Sequence, residues 1–222
     1  MTTKSKTCVV FGVGPGIGVS LVKLYRAKGF NVIAISRSED KLKQLLIKNG
    51  ITDTEALGCD AVDLDQVQSV MSRVVHKNND IHTFIYNAAA MDNLGENPTF
   101  HKVSALQLVK DINASVTSAF LAAQIVLPQM KERKSGYVLF TGGGLSLYPS
   151  PVWGTLSMGK SGVRTLAHLL NQELKVDGVL CGTVTILGMV NSTPQLTPDK
   201  IASAFFNFEA LSGGQYELQV RD

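Results

Sequence analysis

The chain has little that would carry it to nucleic acid, to a membrane or to a metal ion. Its 21 Lys and Arg residues face 18 Asp and Glu residues, a formal net charge of +3 over 222 residues. The basic residues are scattered and form no block, which argues against a polyanionic partner or an anionic lipid surface. No apolar run approaches the roughly 20 residues of a membrane-spanning helix. The opening segment, MTTKSKT, leads straight into an apolar strand pattern and holds no signal-peptide core. Cysteine is sparse, and Cys8, Cys59 and Cys181 form neither a metal-type pair nor a disulfide framework. Cys8 and Cys181 lie in apolar runs, as buried reduced thiols of a cytoplasmic protein would. His76, His82, His101 and His168 have no partnering pattern and read as surface or edge residues, and no metal-ligand spacing occurs. Repeats, low-complexity tracts and interdomain linkers are also missing, so a single domain over residues 1–222 is expected.

What is present is an alternation of two periods. Apolar, β-rich runs at Thr7–Phe11, Asn31–Ser36, Thr54–Cys59, His82–Tyr86, Gly136–Phe140, Val179–Leu187 and Tyr216–Val220 read as strands. Helical spacing occupies Val19–Lys28, Glu39–Lys48, Leu64–His76, Leu106–Arg133 and Gly159–Lys175, with Pro128 expected to kink or end the fourth of these. Strands alternating with helices predict an α/β fold of Rossmann type: a doubly wound parallel sheet of about seven strands, with right-handed crossovers and helices on both faces.

The first strand runs into CVVFGVGPGIG, where Gly12, Gly14, Gly16 and Gly18 stand at every second position. A strand that turns tightly into a helix N-terminus can cradle a phosphate, because aligned N–H groups and the positive end of the helix dipole face it. The bland alternative is a tight strand–helix turn with no ligand. The spacing misses G-x-G-x-x-G in every frame and fits G-x-x-x-G-x-G on Gly12, Gly16 and Gly18.

That loop resembles the short-chain dehydrogenase/reductase family, and the resemblance extends along nearly the whole chain. Asp60 in GCDAVD stands where the family has an aspartate at the end of its third strand. Asn87-Ala88-Ala89 is similar to its N-A-G motif. Asn113 in DINASVTSAF matches the helix asparagine of the catalytic tetrad, and Lys160 matches the catalytic lysine. Gly188 and Val190 in ILGMVNST match the P-G-x-V-x-T segment, with Leu187 in place of the proline. The resemblance implies a nicotinamide dinucleotide held by Gly12, Gly14, Pro15, Gly16, Ile17, Gly18, Ser36, Arg37, Asp60, Ala61, Asn87, Ala88, Ala89, Lys160, Gly188 and Val190. NAD-specific folds carry an acidic residue at the end of the second strand to hold the ribose 2′-hydroxyl. Here Ser36 ends that strand and Arg37 follows it. A guanidinium can grip a 2′-phosphate that a carboxylate would repel, so NADP(H) is expected over NAD(H) unless Arg37 is only a solvated loop residue.

The likeness breaks at the proton-transfer machinery. The family's tyrosine stands four residues before its lysine, where this chain has Leu156. Its serine stands thirteen residues before the tyrosine, where this chain has Gly143. Loss of a general acid costs about 10²–10⁴ in rate, and loss of an oxyanion donor about 10²–10³. Tyr148 is the candidate stand-in acid beside Lys160 and Asn113, although Tyr148 and Trp153 can equally be packing residues of the pocket wall. Ser146 reads as a turn residue. Only about ten residues separate Gly188 from Thr197-Pro198-Asp199-Lys200-Ile201, so the flexible segment that closes over the substrate in many relatives is nearly deleted. Three readings stay open. One is an NADP(H)-dependent oxidoreductase acting on a small carbonyl or imine-type substrate. The second is a catalytically degenerate NADP(H)-binding sensor or regulator. The third is a non-redox enzyme in the same pocket. The resemblance also implies a homodimer or homotetramer and a small-molecule substrate.

Overall fold

A computed structural model describes residues 6–90, 99–210 and 215–222. Residues 1–5, read above as leading into the first strand, lie outside them. Seven strands form one parallel sheet: β1 (Thr7–Phe11), β2 (Asn31–Ser36), β3 (Glu55–Gly58), β4 (Ile81–Tyr86), β5 (Gly136–Gly143), β6 (Val179–Ile186) and β7 (Glu217–Val220). Their order is β3-β2-β1-β4-β5-β6-β7, and every neighbouring pair is parallel. The chain winds outward from β1 in one direction, then returns to β4 and winds in the other. The switch point therefore lies between β1 and β4, where a crevice opens at the carboxyl ends of the strands.

Among the described residues, seven α-helices cover both faces. They are α1 (Ile17–Ala27), α2 (Glu39–Lys48), α3 (Leu64–Lys77), α4 (Ala105–Ile112), α5 (Ser118–Glu132), α6 (Gly154–Leu174) and α7 (Pro198–Phe208). Two apolar cores follow from this layering. One packs α3, α5 and α6 against the sheet through Met71, Val126 and Ala167. The other packs α1, α2 and α7 through Leu21, Leu42 and Phe205. Sequence chemistry sets several boundaries. Ser38, Asp63, Ser104 and Thr197 cap α2, α3, α4 and α7 by accepting a backbone N–H through their side chains. Pro198 then occupies the first turn of α7, where its missing N–H costs nothing.

The expected helix over Leu106–Arg133 divides. A π-turn at Asn113–Thr117 separates α4 from α5, and the inserted residue turns Ala114 and Ser115 inward. Pro128 neither ends nor interrupts α5, which runs on to Glu132. α6 begins at Gly154 rather than Gly159, and β5 extends to Gly143.

At the amino ends of the strands, Glu209 is drawn into the protein just after α7. Its carboxylate accepts from Tyr25 Oη at 3.0 Å and Thr83 Oγ1 at 2.7 Å, and Tyr137 Oη donates to its backbone carbonyl at 2.9 Å. His82 lies 3.8 Å from this carboxylate, with Lys6 Nζ 3.2 Å from its ring nitrogen. It packs between Phe30 and Tyr137, so it is a half-buried interior residue and not the surface or edge residue expected. Burial, with Lys6 and Arg133 nearby, lowers its pKa to about 4. Burial raises the pKa of Glu209.

Two predictions follow from these contacts. A Cβ on Gly182 would come within 2.0 Å of the Phe208 ring, so Gly182→Ala should cost about 1–3 kcal/mol through overpacking, read from the urea unfolding midpoint. For Glu209, the folded state holds its proton to higher pH than the unfolded state does. Stability from this group is full below the ordinary value of 4.5 and falls as pH rises through the raised one. Glu209→Gln keeps an acceptor for Tyr25 and Thr83 without the charge. Its stability relative to wild type should grow with pH across that window and level off above it.

Candidate active site

A cleft of about 1090 Å³ lies over the switch point, lined by the loops that leave the carboxyl ends of β1 to β6. Its floor is the glycine turn. Gly12 and Val13 both donate their N–H groups to Ile35 O, at 2.8 and 2.9 Å, tying the turn to β2. Gly12 has φ +95°, and a Cβ there would sit 2.3 Å from the Ala88 nitrogen. Only glycine allows this backbone shape and this approach of β1 to the β4 exit. Gly16 caps α1 at φ +111° with no side-chain hydrogen bond to the first turn, and that turn holds no acidic residue. The α1 N-terminus thus presents N–H donors and a positive dipole end to the cleft. A Cβ on Gly14 would meet nothing within 4 Å.

One end of the cleft is lined by Ser36 at the end of β2, by Arg37 after it, and by Cys59, Asp60, Ala61 and Val62 after β3. The Asp60 carboxylate accepts Val62 N–H at 3.0 Å, while Asp60 N–H is held by Gln66 Oε1. Gln107, Lys110, Asp111 and Ala114 also line the cleft. Their i, i+3, i+4, i+7 spacing is a helical face that the sequence displays, although nothing in their chemistry marks it as part of a site. Asp111 is buried there and accepts from Gln107 Nε2 at 2.8 Å.

The other end lies over β5 and β6. Asn87 Nδ2 donates to Gly12 O at 2.7 Å. Its Oδ1 accepts from Thr141 Oγ1 at 2.7 Å, and Thr141 O accepts from Lys160 Nζ at 2.7 Å. A continuous chain of bonds therefore joins the glycine turn to the lysine. Burial lowers the Lys160 pKa to about 8. Leu156, one helical turn earlier, is buried and lines the same wall. Gly188, at φ +144°, Val190 and Asn191 complete the rim.

The placement of two expected catalytic residues differs from the expectation. Tyr148 does not line the cleft: its backbone N–H closes a turn onto Gly144 O at 2.8 Å and its side chain is 75% exposed. Asn113 opens the π-turn, half-buried and away from the cleft. Because of that turn, Ser115 takes the inward position, with Oγ accepting Ala90 N–H at 3.3 Å and lying against Gly159. Trp153 is not on the cleft wall. Ser146 spends its hydroxyl on Gly143 O at 2.8 Å, as a turn residue does. The remaining expected residues, Gly12, Gly14, Pro15, Gly16, Ile17, Gly18, Ser36, Arg37, Asp60, Ala61, Asn87, Ala88, Ala89, Lys160, Gly188 and Val190, all line it. Thr141 was missed, since a β-strand threonine carries no motif that would announce it. Among the described residues no group of His, Cys, Asp and Glu could hold a metal ion.

A family model described as short chain dehydrogenase matches residues 6–200. The chain belongs to the short-chain dehydrogenase family. Over 189 residues it is 29% identical to a putative steroid dehydrogenase 4 of Caenorhabditis elegans, covering 81% of this chain and 70% of that protein. It is 27% identical to the human inactive hydroxysteroid dehydrogenase-like protein 1, covering 77% and 52%. The chain spans between about half and seven tenths of the length of the curated relatives it matches. A metagenomic short-chain oxidoreductase crystallised in complex with NADP shares its fold, with TM-score 0.82 and 19% identity over 97% of this chain and 96% of that one.

Short-chain dehydrogenases bind NAD(P), and this cleft fits such a group. The Gly12 cradle would be filled by a Cβ, the α1 N-terminus lacks a side-chain cap, and the volume suits a dinucleotide with room beside it. Gly14→Asp tests that fit, because the added carboxylate would enter open space beside the α1 N-terminus. Titration of NADPH fluorescence should show a dissociation constant raised at least about tenfold, or about 1.4 kcal/mol. The ligand-free melting temperature should stay within about 2 °C, since no backbone strain or clash opposes the change.

Proposed function

We propose that the protein is an NADP(H)-dependent oxidoreductase that transfers hydride to or from a small carbonyl or imine-type substrate. The observation that carries this reading is the bonded chain Gly12–Asn87–Thr141–Lys160, which ties the anion-binding turn to a cationic side chain in one cleft. The bound nicotinamide would supply the hydride chemistry. The chain's own residues would bind and orient. The α1 N-terminus would hold the pyrophosphate, Asp60 and Ala61 the adenine, and Arg37 the 2′-phosphate. Lys160, Gly188 and Val190 would hold the nicotinamide half.

Leu156 and Gly143 stand where the family's tyrosine and serine are expected, and they favour a second reading, an NADP(H)-binding sensor without turnover. The name of the human relative fits that reading. An imine-type substrate relieves the difficulty chemically, because an iminium ion is already cationic and hydride addition yields a neutral amine with no proton donor.

The substrate reaches an open site. The β6–α7 connection is short and its Leu196 is buried in the core, which leaves Met189 77% exposed at the rim. Leu106, Val109, Phe120 and Leu169 are exposed apolar residues on α4, α5 and α6, a surface suited to a homodimer or homotetramer. Among the described residues no helix is long and apolar enough to cross a membrane, and three buried free thiols suit a reducing compartment such as the cytoplasm.

Arg37→Ala should raise the NADPH dissociation constant about 10- to 100-fold and leave that for NADH nearly unchanged, measured by fluorescence titration. Loss of NADPH absorbance over a panel of ketones, aldehydes and cyclic imines decides between the two readings. Tight binding with no turnover on any of them favours the sensor. Carbonyl reduction gained only by Leu156→Tyr with Gly143→Ser shows that the wild type does not use the family's usual proton donor.

A further inference from the structure

We propose that Lys160 is itself the proton donor of this site, passing an Nζ proton directly to the oxygen of a carbonyl substrate held over Gly143 and Leu156. The proposal rests on the oxidoreductase reading above and names the acid that reading lacks.

Three observations converge on it. The first is which groups line the cleft over β5 and β6. Among the described residues these are Thr141, Gly142, Gly143, Gly144, Leu145, Leu156, Lys160, Ile186, Gly188, Val190 and Asn191, and only the lysine can release a proton near neutral pH. Tyr148 faces solvent, Ser146 donates to Gly143 O, and the hydroxyl of Ser157 is engaged by the Ser150 backbone. The second is access. A Cβ placed on Gly143 would lie 3.6–3.7 Å from Cγ, Cδ and Cε of Lys160. The lysine stem therefore runs along the bare Gly143 backbone, with no side chain there to cover it. Leu156 offers no polar atom to hold the ammonium, which is secured by the Thr141 carbonyl at 2.7 Å. One donor bond to a carbonyl leaves two N–H groups of an ammonium to spend. The third is poise. Burial brings the group to about 8, where it is mostly charged at pH 7 yet gives up its proton far more readily than an exposed lysine.

The step balances. Hydride from a reduced nicotinamide dinucleotide forms the new C–H bond at the carbonyl carbon, and the C=O π pair moves to oxygen. That oxygen forms an O–H bond as one Nζ–H bond breaks. The products are an alcohol, the oxidised dinucleotide and a neutral amine, which regains its proton from water in the open cleft.

The first test uses no turnover. Protein carrying isotope-labelled lysine is titrated by NMR without ligand, and Lys160→Arg identifies the Lys160 signal by its loss. That signal should titrate near pH 8. A midpoint above about 10, in the ordinary range of a lysine side chain, overturns the proposal. The second test compares NADPH oxidation with two probes, an aromatic ketone and a preformed N-alkyl cyclic iminium salt that needs no proton. Lys160→Arg keeps the charge but cannot release a proton, so the ratio of ketone to iminium turnover should fall at least about 100-fold. In wild type that ratio should also drop as pH rises through 8. An unchanged ratio overturns the proposal, as does a 100-fold fall in Asp111→Asn, the other buried acid on the cleft wall. If wild type binds NADPH and oxidises it with neither probe, the oxidoreductase reading fails and takes the proposal with it. If it reduces the iminium salt with the ketone ratio insensitive to Lys160, only the proposal fails.

Discussion

The site depends on one amide. Asn87 leaves the end of β4 and reaches in two directions at once, giving a hydrogen to Gly12 O and taking one from Thr141 Oγ1. Its backbone N–H also pairs with Phe11 O at 2.7 Å. Three strands, β1, β4 and β5, are thereby held in register at the point where the winding reverses. That is where a parallel sheet would otherwise splay, because neighbouring loops turn away to opposite faces. Thr141 passes the restraint on through its carbonyl to Lys160, so the glycine turn and the lysine are positioned by the same side chain. An amide suits the post because it donates and accepts with fixed geometry, and an ionised carboxylate could only accept.

Electrostatics divides the molecule between its two ends. At the carboxyl ends of the strands, an uncapped helix terminus, Arg37, Lys110 and Lys160 share one cleft with the carboxylates of Asp60 and Asp111. At the amino ends, Glu209 and His82 sit close together, and burial works against the charge of both. The first arrangement leaves the α1 N-terminus without a side-chain cap. The second consumes its polar groups internally, since Tyr25, Thr83 and Tyr137 meet the acceptors of Glu209. That contrast distinguishes the cleft end of the sheet from an end whose polar groups are already paired.

Much of this was legible in the chain. The seven strands, the parallel sheet and the glycine turn follow from apolar runs and spacing, and the positions expected to hold a dinucleotide all face one cleft. What escaped did so for physical reasons. Asn113 lay in a segment that reads as an uninterrupted helix, and the π-turn that rotates Ser115 inward in its stead depends on packing against Gly159 and Gly162 of α6. Tyr148 belongs to a loop, where sequence order gives proximity to the site but not direction. His82 reads as a surface or edge residue because its neighbours in space, Phe30, Tyr137 and Glu209, are far apart in sequence. Thr141 and Asp111 had no motif to betray them and matter only through what they touch.

The connection from Gly188 to Pro198 is fastened rather than loose. Leu187 N–H pairs with Val220 O, Asn191 N–H with Leu196 O, and the Leu196 side chain is almost wholly enclosed. Among the described residues, association of a cofactor against this connection would therefore have no flap to fold and would freeze few backbone torsions. The calorimetric signature of this connection should be that of docking onto a finished surface, contributing to the heat-capacity change only through the area that the ligand buries against it.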